Sequence, residues 1–162
     1  MRILGIDPGT ATVGFGVIDV HGRDTSVVDF GHISTAKETP PAKRLDEIAT
    51  DLAHLCQKWS PTVCAVEELF FSKNVKTAIR VAEARGVILQ TLSRAGYPVF
   101  EYNPLQIKLA ITGHGKADKK QVQKMVTCLL RLESVPKPDD AADALAVALC
   151  HAHTPIHHPA LL

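Results

Sequence analysis

The stretch that decides the fold is MRILGIDPGT, residues 1–10. Its apolar run at 3–6 predicts a short buried strand, and the Asp-Pro-Gly that follows is typical of a turn. Two alternating, β-branched runs come next, at 13–20 and 26–34, with the turn His-Gly-Arg-Asp between them. Consecutive strands joined by short turns pair in an antiparallel fashion, so this part of the chain predicts a three-stranded meander.

Beyond the meander, the spacing of apolar residues alternates between that of helices and that of strands. Helices are predicted over 41–59, 74–95, 104–111, 118–132 and 140–153, and further strands over 62–69 and 98–102. Asn74 and Asp139 are expected to cap the helices that follow them. The order βββαβαβααα predicts an α/β protein, with a five-stranded mixed sheet flanked by helices on both faces.

The length of 162 residues, with 46% hydrophobic and 22% charged residues, fits one domain with a genuine core. We assign residues 1–153 to this domain and 154–162 to a loosely ordered tail. The apolar runs fall short of the roughly 20 residues that span a bilayer, and the first residues do not resemble a signal peptide. The four cysteines are scattered, which favours reduced thiols and a cytoplasmic location.

Charge is distributed unevenly along the chain, although the net charge is only +1. Residues 104–132 carry six basic side chains and one acidic one, whereas residues 133–162 carry one basic and four acidic ones. A basic segment beside an acidic one suits a protein that binds a polyanion and also holds cations. A solvated helix face explains the basic segment equally well.

Four carboxylates stand at unusual positions. Asp7 and Glu67 each follow an apolar strand, where a charge without a partner is costly to bury. Asp140 and Asp143 lie three residues apart on a largely apolar helix, so both side chains share one face. Like charges held together favour a cation between them, and oxygen donors favour Mg²⁺ or Mn²⁺ over zinc. Taken singly, each residue is also explained as a turn residue or a helix-end residue.

Two neighbouring carboxylates leave the membership of this set open. Glu68 adjoins Glu67 on a strand, where consecutive side chains point to opposite faces, and the strand phase does not say which of the two faces the site. Asp139 lies four residues before Asp143 and competes with Asp140 for a place in the set.

Three motifs together resemble the RuvC family of Holliday junction resolvases. They are GIDPGT (5–10), AVEELFFSKN (65–74) and DDAADALAVALCHAH (139–153), and the resemblance extends from Met1 to about His153. It implies a ribonuclease H-like fold, a homodimer and four acidic residues that hold divalent metal and carry catalysis. In this chain these residues are Asp7, Glu67, Asp140 and Asp143. The family pattern thus selects Glu67 over Glu68 and Asp140 over Asp139.

The chemistry expected of this set is two-metal phosphodiester hydrolysis, with two Mg²⁺ ions roughly 3.5–4 Å apart and Mn²⁺ as a substitute. The resemblance implies paired, symmetric nicks in four-way junction DNA during recombination and repair. It further implies products with 5′-phosphate and 3′-hydroxyl ends, and a branch-migration helicase complex as partner.

Candidate DNA-binding residues surround the predicted site; they are Phe70, Lys73, Lys108, Lys116 and Lys119. Lysines suit contacts to phosphates, and by resemblance Lys108 and Lys119 approach the scissile phosphate. Phe70 matches the position at which the family stacks an aromatic ring on a base, whereas Phe71 is assigned to the core. The role of His114, in the glycine-rich loop beside Lys116, is left open.

The long helix predicted at 74–95 carries two apolar stripes. One comprises Val75, Ala78, Ile79, Ala82, Gly86 and Leu89; the other comprises Val81, Ala84, Ile88 and Leu92. A surface helix needs only one such stripe. We therefore expect a homodimer that packs through this helix.

Other interpretations of the sequence are possible. A ribonuclease H that cleaves RNA–DNA hybrids uses the same carboxylate chemistry, and an actin-like or sugar-kinase ATPase begins with a similar strand, Asp and Gly-Thr. That ATPase needs two such domains, and 162 residues supply one. A non-catalytic junction-binding protein does not need all four carboxylates. The histidines near the C-terminus, with Cys150, lack a second Cys pair and disfavour a zinc site.

Overall fold

The computed structural model describes residues 1–69 and 75–154, with the backbone alone at 75 and 76. The strands are β1 (Arg2–Asp7), β2 (Thr12–His21), β3 (Asp24–Ser34), β4 (Val63–Glu67) and β5 (Val99–Tyr102). The helices are α1 (Pro41–Trp59), α2 (Val75–Arg94), α3 (Pro104–Thr112), α4 (Lys119–Leu129) and α5 (Asp139–His153). The predicted element order is confirmed.

The five strands form one mixed sheet in the order β3-β2-β1-β4-β5. The meander β1-β2-β3 is antiparallel, whereas β4 runs parallel to β1 and β5 runs parallel to β4. The central strand β1 therefore has the meander on one side and β4 on the other. The expected α/β class, with a five-stranded mixed sheet, is confirmed.

Each face of the sheet has its own hydrophobic core. Alternate residues of β1 divide between them, with Ile3 in the core under α3, α4 and α5, and Leu4 and Ile6 in the core under α1 and α2. This division follows from the two-residue period of a strand. Asp7 has the same parity as Ile3, so it belongs to the α5 side.

Helix α5 lies directly on the backbones of β1 and β2. A Cβ atom at Gly5 would stand 2.2 Å from the carbonyl oxygen of Ala144, and one at Gly14 would stand 2.0 Å from that of Asp140. The helix is accordingly rich in alanine and buried from Ala144 to His151. Glycines in the strands and alanines in the helix permit this close approach, which fixes the position of the first turn of α5.

Several predicted helix ends differ from the structure. Helix α4 ends at Leu129 rather than 132, because the backbone of Arg131 turns to a positive φ of 52°. Asp118 precedes this helix as its N-cap, in a reciprocal capping box with Gln121. The prediction that Asp139 caps α5 is wrong: Asp139 is the first helical residue, and Pro138 occupies the cap position. The cap predicted at Asn74 lies outside the described residues.

Of the two apolar stripes on α2, the one containing Ala84, Ile88 and Leu92 is buried against the sheet at these three residues and half-buried at Val81. In the other, Ile79 is 56% exposed, whereas Leu89 packs partly against the core, and the side chain of Val75 lies outside the described residues. The four cysteines form no disulfide, and only Cys128 is exposed. Among the helices that the structure describes, none is long and apolar enough to cross a membrane.

Candidate active site

Asp7 and Glu67 end two adjacent parallel strands. Ile6 of β1 pairs with Val66 of β4, so the two acidic residues follow side by side at the same edge of the sheet. Glu67 has the same parity as Val63 and Ala65, which lie in the core beneath α5. Glu67 and Asp7 therefore face the same side, whereas Glu68 is exposed beyond the end of the strand. Tertiary structure thus supplies the reason to prefer Glu67.

The first turn of α5 brings two further carboxylates to this edge. One oxygen each from Asp7, Asp140 and Asp143 lies within 4.8 Å of the others, close enough to ligate one cation. Glu67 joins them, since it lines the same cleft as Asp7 and Asp143. All four predicted residues are therefore brought together, from three separate elements.

Lys119, the first residue of α4, reaches into this group. Its Nζ lies 2.8 Å from Oδ2 of Asp143 and 3.8 Å from Oδ2 of Asp139. Lys108 of α3 lines the same cleft, whose floor is apolar and includes Ile107 and Val122. Two of the predicted DNA-binding lysines thus stand at the carboxylates themselves.

Burial and mutual repulsion raise the pKa values of Asp7, Glu67 and Asp143. The pKa of Asp7 rises to about 8, first because the side chain is buried and then because Glu67, Asp143 and Asp140 are close. The pKa of Glu67 rises to about 7 through burial and the charge of Asp143. Burial also raises the pKa of Asp143, although the ammonium of Lys119 opposes the shift. Negative charge gathered in this way favours the binding of a cation.

The turn after Asp7 is held from behind by α1. Arg44 donates from Nη2 to the carbonyl oxygen of Thr10 at 2.6 Å and from Nε to Oγ1 of Thr35 at 2.9 Å. The Thr35 hydroxyl donates to the same carbonyl oxygen at 2.9 Å. The loop that follows the central carboxylate therefore has a fixed conformation.

The donor set fits a hard divalent cation. It consists of carboxylate oxygens only, which suit Mg²⁺ or Mn²⁺ rather than zinc. Among the described residues, this is the one group of three or more potential ligands close enough to share an ion. His151 is instead buried in the core, where its Nδ1 lies 2.7 Å from the Tyr102 hydroxyl; His157 and His158 lie outside the described residues.

The remaining predicted DNA-binding residues are Lys116, Phe70 and Lys73, and only Lys116 lies among the described residues. Lys116 is exposed on the loop between α3 and α4, where its backbone N–H donates to Nδ1 of His114 at 3.1 Å. Phe70, Phe71 and Lys73 lie outside the described residues.

Sequence reasoning assigned one polar residue near the site the wrong role and missed two others. Asp139, predicted as a cap, instead pairs with Lys119 and with Lys137. Arg44 and Arg85 contact main-chain carbonyl oxygens beside the carboxylates. The sequence gives one signal for Arg44 and Arg85: each is a charged residue within a helix whose apolar side packs on the sheet.

A mixed sheet of this order, with a helix crossing its central strands, is that of the ribonuclease H-like fold, and the carboxylates at the end of the central strand and on that helix suit a metal-dependent nuclease. The family model of crossover junction endodeoxyribonuclease RuvC matches residues 3–151. The RuvC protein of Heliobacterium modesticaldum is 54% identical over 154 residues, which cover 95% of each chain. This chain belongs to the RuvC family.

Solved structures agree with this assignment. Thermus thermophilus RuvC in complex with a Holliday junction substrate is 37% identical, with a TM-score of 0.89 over 94% of this chain and 93% of that one. The yeast mitochondrial Holliday junction resolvase is 15% identical, with a TM-score of 0.69 over 93% of this chain and 78% of that one. This second likeness supports the fold alone, and the expected ribonuclease H-like fold is confirmed.

Proposed function

We propose that this chain is a metal-dependent endonuclease that resolves four-way DNA junctions by paired, symmetric nicks. The observation that carries the proposal is the meeting of four carboxylates, Asp7, Glu67, Asp140 and Asp143, at one edge of the sheet in a chain of the RuvC family. The resolvase assignment draws further support from the likeness to the Thermus thermophilus protein that binds a Holliday junction.

In this proposal the four carboxylates hold Mg²⁺, with Mn²⁺ as a substitute and two ions per site. When bound, the metal supplies Lewis-acid activation of the attacking water and neutralises charge at the leaving 3′ oxygen. The carboxylates would fix the position of the metal, because they lie on rigid elements: the ends of β1 and β4 and the first turn of α5. The raised pKa values of Asp7 and Glu67 mean that protons compete with the metal near neutral pH.

Lys108 and Lys119 attract the scissile phosphate. Both line the cleft that contains Asp7, Glu67 and Asp143, so a phosphate that approaches the carboxylates meets two ammonium groups. A polyanion brought towards four carboxylates needs such compensation. Lys116 extends this basic surface along the loop after α3, and Phe70 and Lys73 complete the proposed set of DNA contacts.

The test is incubation of the protein with a synthetic immobile four-way junction, with Mg²⁺, Mn²⁺ or EDTA, followed by mapping of the nicks on each strand. We expect metal-dependent nicks at symmetric positions, with ends that DNA ligase seals directly. Asp7→Asn should lower the rate at least about 1000-fold, because it removes a charge from the centre of the cluster, while junction binding in EDTA is retained. Asp24→Asn, at the exposed first residue of β3, is the matched control and should cleave normally. Full nicking by Asp7→Asn would contradict the assignment.

A ribonuclease H activity on RNA–DNA hybrids is the alternative that the same carboxylates support. It is separated from the proposal by offering hybrid duplex and four-way junction of equal length side by side. Faster cleavage of the hybrid would favour the alternative.

We further propose that the protein acts in the cytoplasm as a homodimer, together with a branch-migration helicase complex. The four free cysteines support a reducing compartment. Paired nicks need two active sites, and the exposed apolar face of α2 supports a dimer that provides them.

A further inference from the structure

Arg85 joins the end of β4 to a neighbouring strand from the face opposite to α5. Its Nε donates to the main-chain carbonyl oxygen of Glu67 at 3.3 Å, and its Nη2 forms an ion pair with the carboxylate of Glu101 on β5. The Arg85 side chain is 20% exposed and that of Glu101 is 40% exposed, so the guanidinium is mostly covered while the carboxylate partly faces solvent. A charge-assisted contact is stronger than one between neutral groups, and solvent and salt screen it at its exposed end.

These contacts fall where the chain leaves the sheet. The N–H of Glu68 still donates to the carbonyl oxygen of Tyr102 at 2.9 Å, but β4 itself ends at Glu67. The guanidinium therefore holds the last residue of the strand, which is also the residue that presents its carboxylate to Asp7. Because Arg85 belongs to α2, it also fixes the distance between that helix and the end of β4.

We propose that Arg85, oriented by Glu101, is a positioning residue for Glu67. Arg85 acts through the main chain: it holds the Glu67 backbone, and the direction of the Glu67 side chain follows. Glu101 keeps the guanidinium in place and compensates its charge. This inference rests on the proposed function, since the cleavage reaction is where the position of Glu67 matters.

The planar guanidinium is required for this role because two donors must point in different directions at once. The ammonium of a lysine is a single point charge and lacks that fixed fork. Arg85→Lys should therefore restore only part of what Arg85→Met removes. Glu101→Gln leaves the contact between Arg85 and Glu67 available but weakens its orientation, and so should have a smaller effect.

The experiment measures the single-turnover nicking rate on a four-way junction and, separately, Mn²⁺ affinity by electron paramagnetic resonance in the absence of DNA. Arg85→Met should lower the rate, the Mn²⁺ affinity or both by roughly 10- to 100-fold, the range typical when a group that orients a metal ligand is removed. Junction affinity in EDTA should stay within about twofold. The double variant Arg85→Met/Glu101→Gln should be no worse than Arg85→Met alone, since the two residues act as a unit.

Arg94→Met is the matched control, because Arg94 is an exposed arginine in the last turn of the same helix. Far-UV circular dichroism and thermal melting give the folded fraction of each variant, and rates are corrected for it. The proposal is overturned if corrected rate and Mn²⁺ affinity of Arg85→Met both equal those of Arg94→Met. If the wild-type protein does not nick junctions at all, the proposed function fails, and the Mn²⁺ affinities alone decide the role of Arg85.

Discussion

At the scale of single residues, the proposed chemistry rests on carboxyl groups held where their charge is unfavourable. Asp7 lies at the centre, beside Glu67 and within reach of the two aspartates of α5. Its environment makes proton binding, cation binding and folding stability depend on one another. Lys119 relieves part of the repulsion through its contact with Asp143.

This linkage predicts how the stability of the metal-free protein depends on pH. The pKa of Asp7 in the folded state, about 8, and that of Glu67, about 7, lie above the values of the unfolded chain. The folded state therefore holds more protons, so stability is fully present below about pH 4 to 4.5 and is lost as pH rises through 7 to 8. In EDTA we expect the Tm to fall between pH 5.5 and 8.5, by roughly 2–4 °C for each kcal/mol lost.

Asp7→Asn should weaken this pH dependence, because it removes the group with the larger shift, whereas Asp24→Asn should leave it unchanged. Mg²⁺ added at pH 8.5 should raise the Tm of the wild-type protein and hardly that of Asp7→Asn. If the Tm of Asp7→Asn depends on pH in the same way as that of the wild-type protein, the pKa of Asp7 is not raised in the folded state.

At the scale of elements, the contact between α5 and the strands places the site. The helix lies so close to β1 and β2 that no side chain fits between them at Gly5 or Gly14. The positions of Asp140 and Asp143 follow from that contact, since both residues belong to the start of α5, which rests against Gly14. The small alanine side chains of α5 therefore allow the close approach that places the two aspartates at the site.

Gly5→Ala should be destabilising for this reason. The added methyl group would meet main-chain atoms of α5, which are unable to move like the end of a flexible side chain, and we expect a loss of at least about 1–3 kcal/mol in the free energy of unfolding. Gly86→Ala is the control, because a Cβ there has no heavy atom within 4 Å, and it should stabilise α2 by about 0.5–1 kcal/mol. Urea unfolding at low protein concentration, where subunit contacts contribute least, compares the two. Equal stability of both variants would contradict the close packing of α5.

At the scale of the whole molecule, the proposed dimer would cover the exposed side of α2. Ile79 is 56% exposed there, although the opposite side of the same helix is already buried. A second subunit packed on this side would remove that apolar area from water. A two-fold dimer would present two identical carboxylate clusters to the two strands of a symmetric junction.

Ile79→Glu should convert the dimer to a monomer at micromolar concentration, because it places a charge in the apolar interface. Sedimentation equilibrium measures the mass. Leu105→Glu is a close control, since Leu105 is also 56% exposed but belongs to α3 rather than to α2. The monomer should make single nicks instead of paired ones. A monomeric wild-type protein would contradict the dimer.

The sequence by itself determined the elements, because the apolar periods of strands and helices are local properties. The meander that begins in MRILGIDPGT, the helix at 41–59 and the number of strands all follow from such periods. Helix ends were less predictable: the boundary at Leu129 depends on the backbone of Arg131, and the start of α5 at Asp139 depends on Pro138. Both boundaries depend on backbone dihedral angles, which the pattern of apolar and polar side chains does not reveal.

Only the tertiary structure gave the physical reason why these carboxylates meet. By strand phase alone, Glu67 and Glu68 are equivalent neighbours, and the family pattern chose between them; in the structure, the parity shared with Ala65 turns Glu67 towards α5 and Asp7. The contacts of Arg44 and Arg85 with main-chain oxygens are likewise invisible in the sequence, since an arginine on a helix reads as solvated until its neighbours are known. Residue types thus fixed the kind of chemistry, oxygen donors for a divalent cation, while packing of α5 and the register of β1 with β4 fixed the place where it occurs.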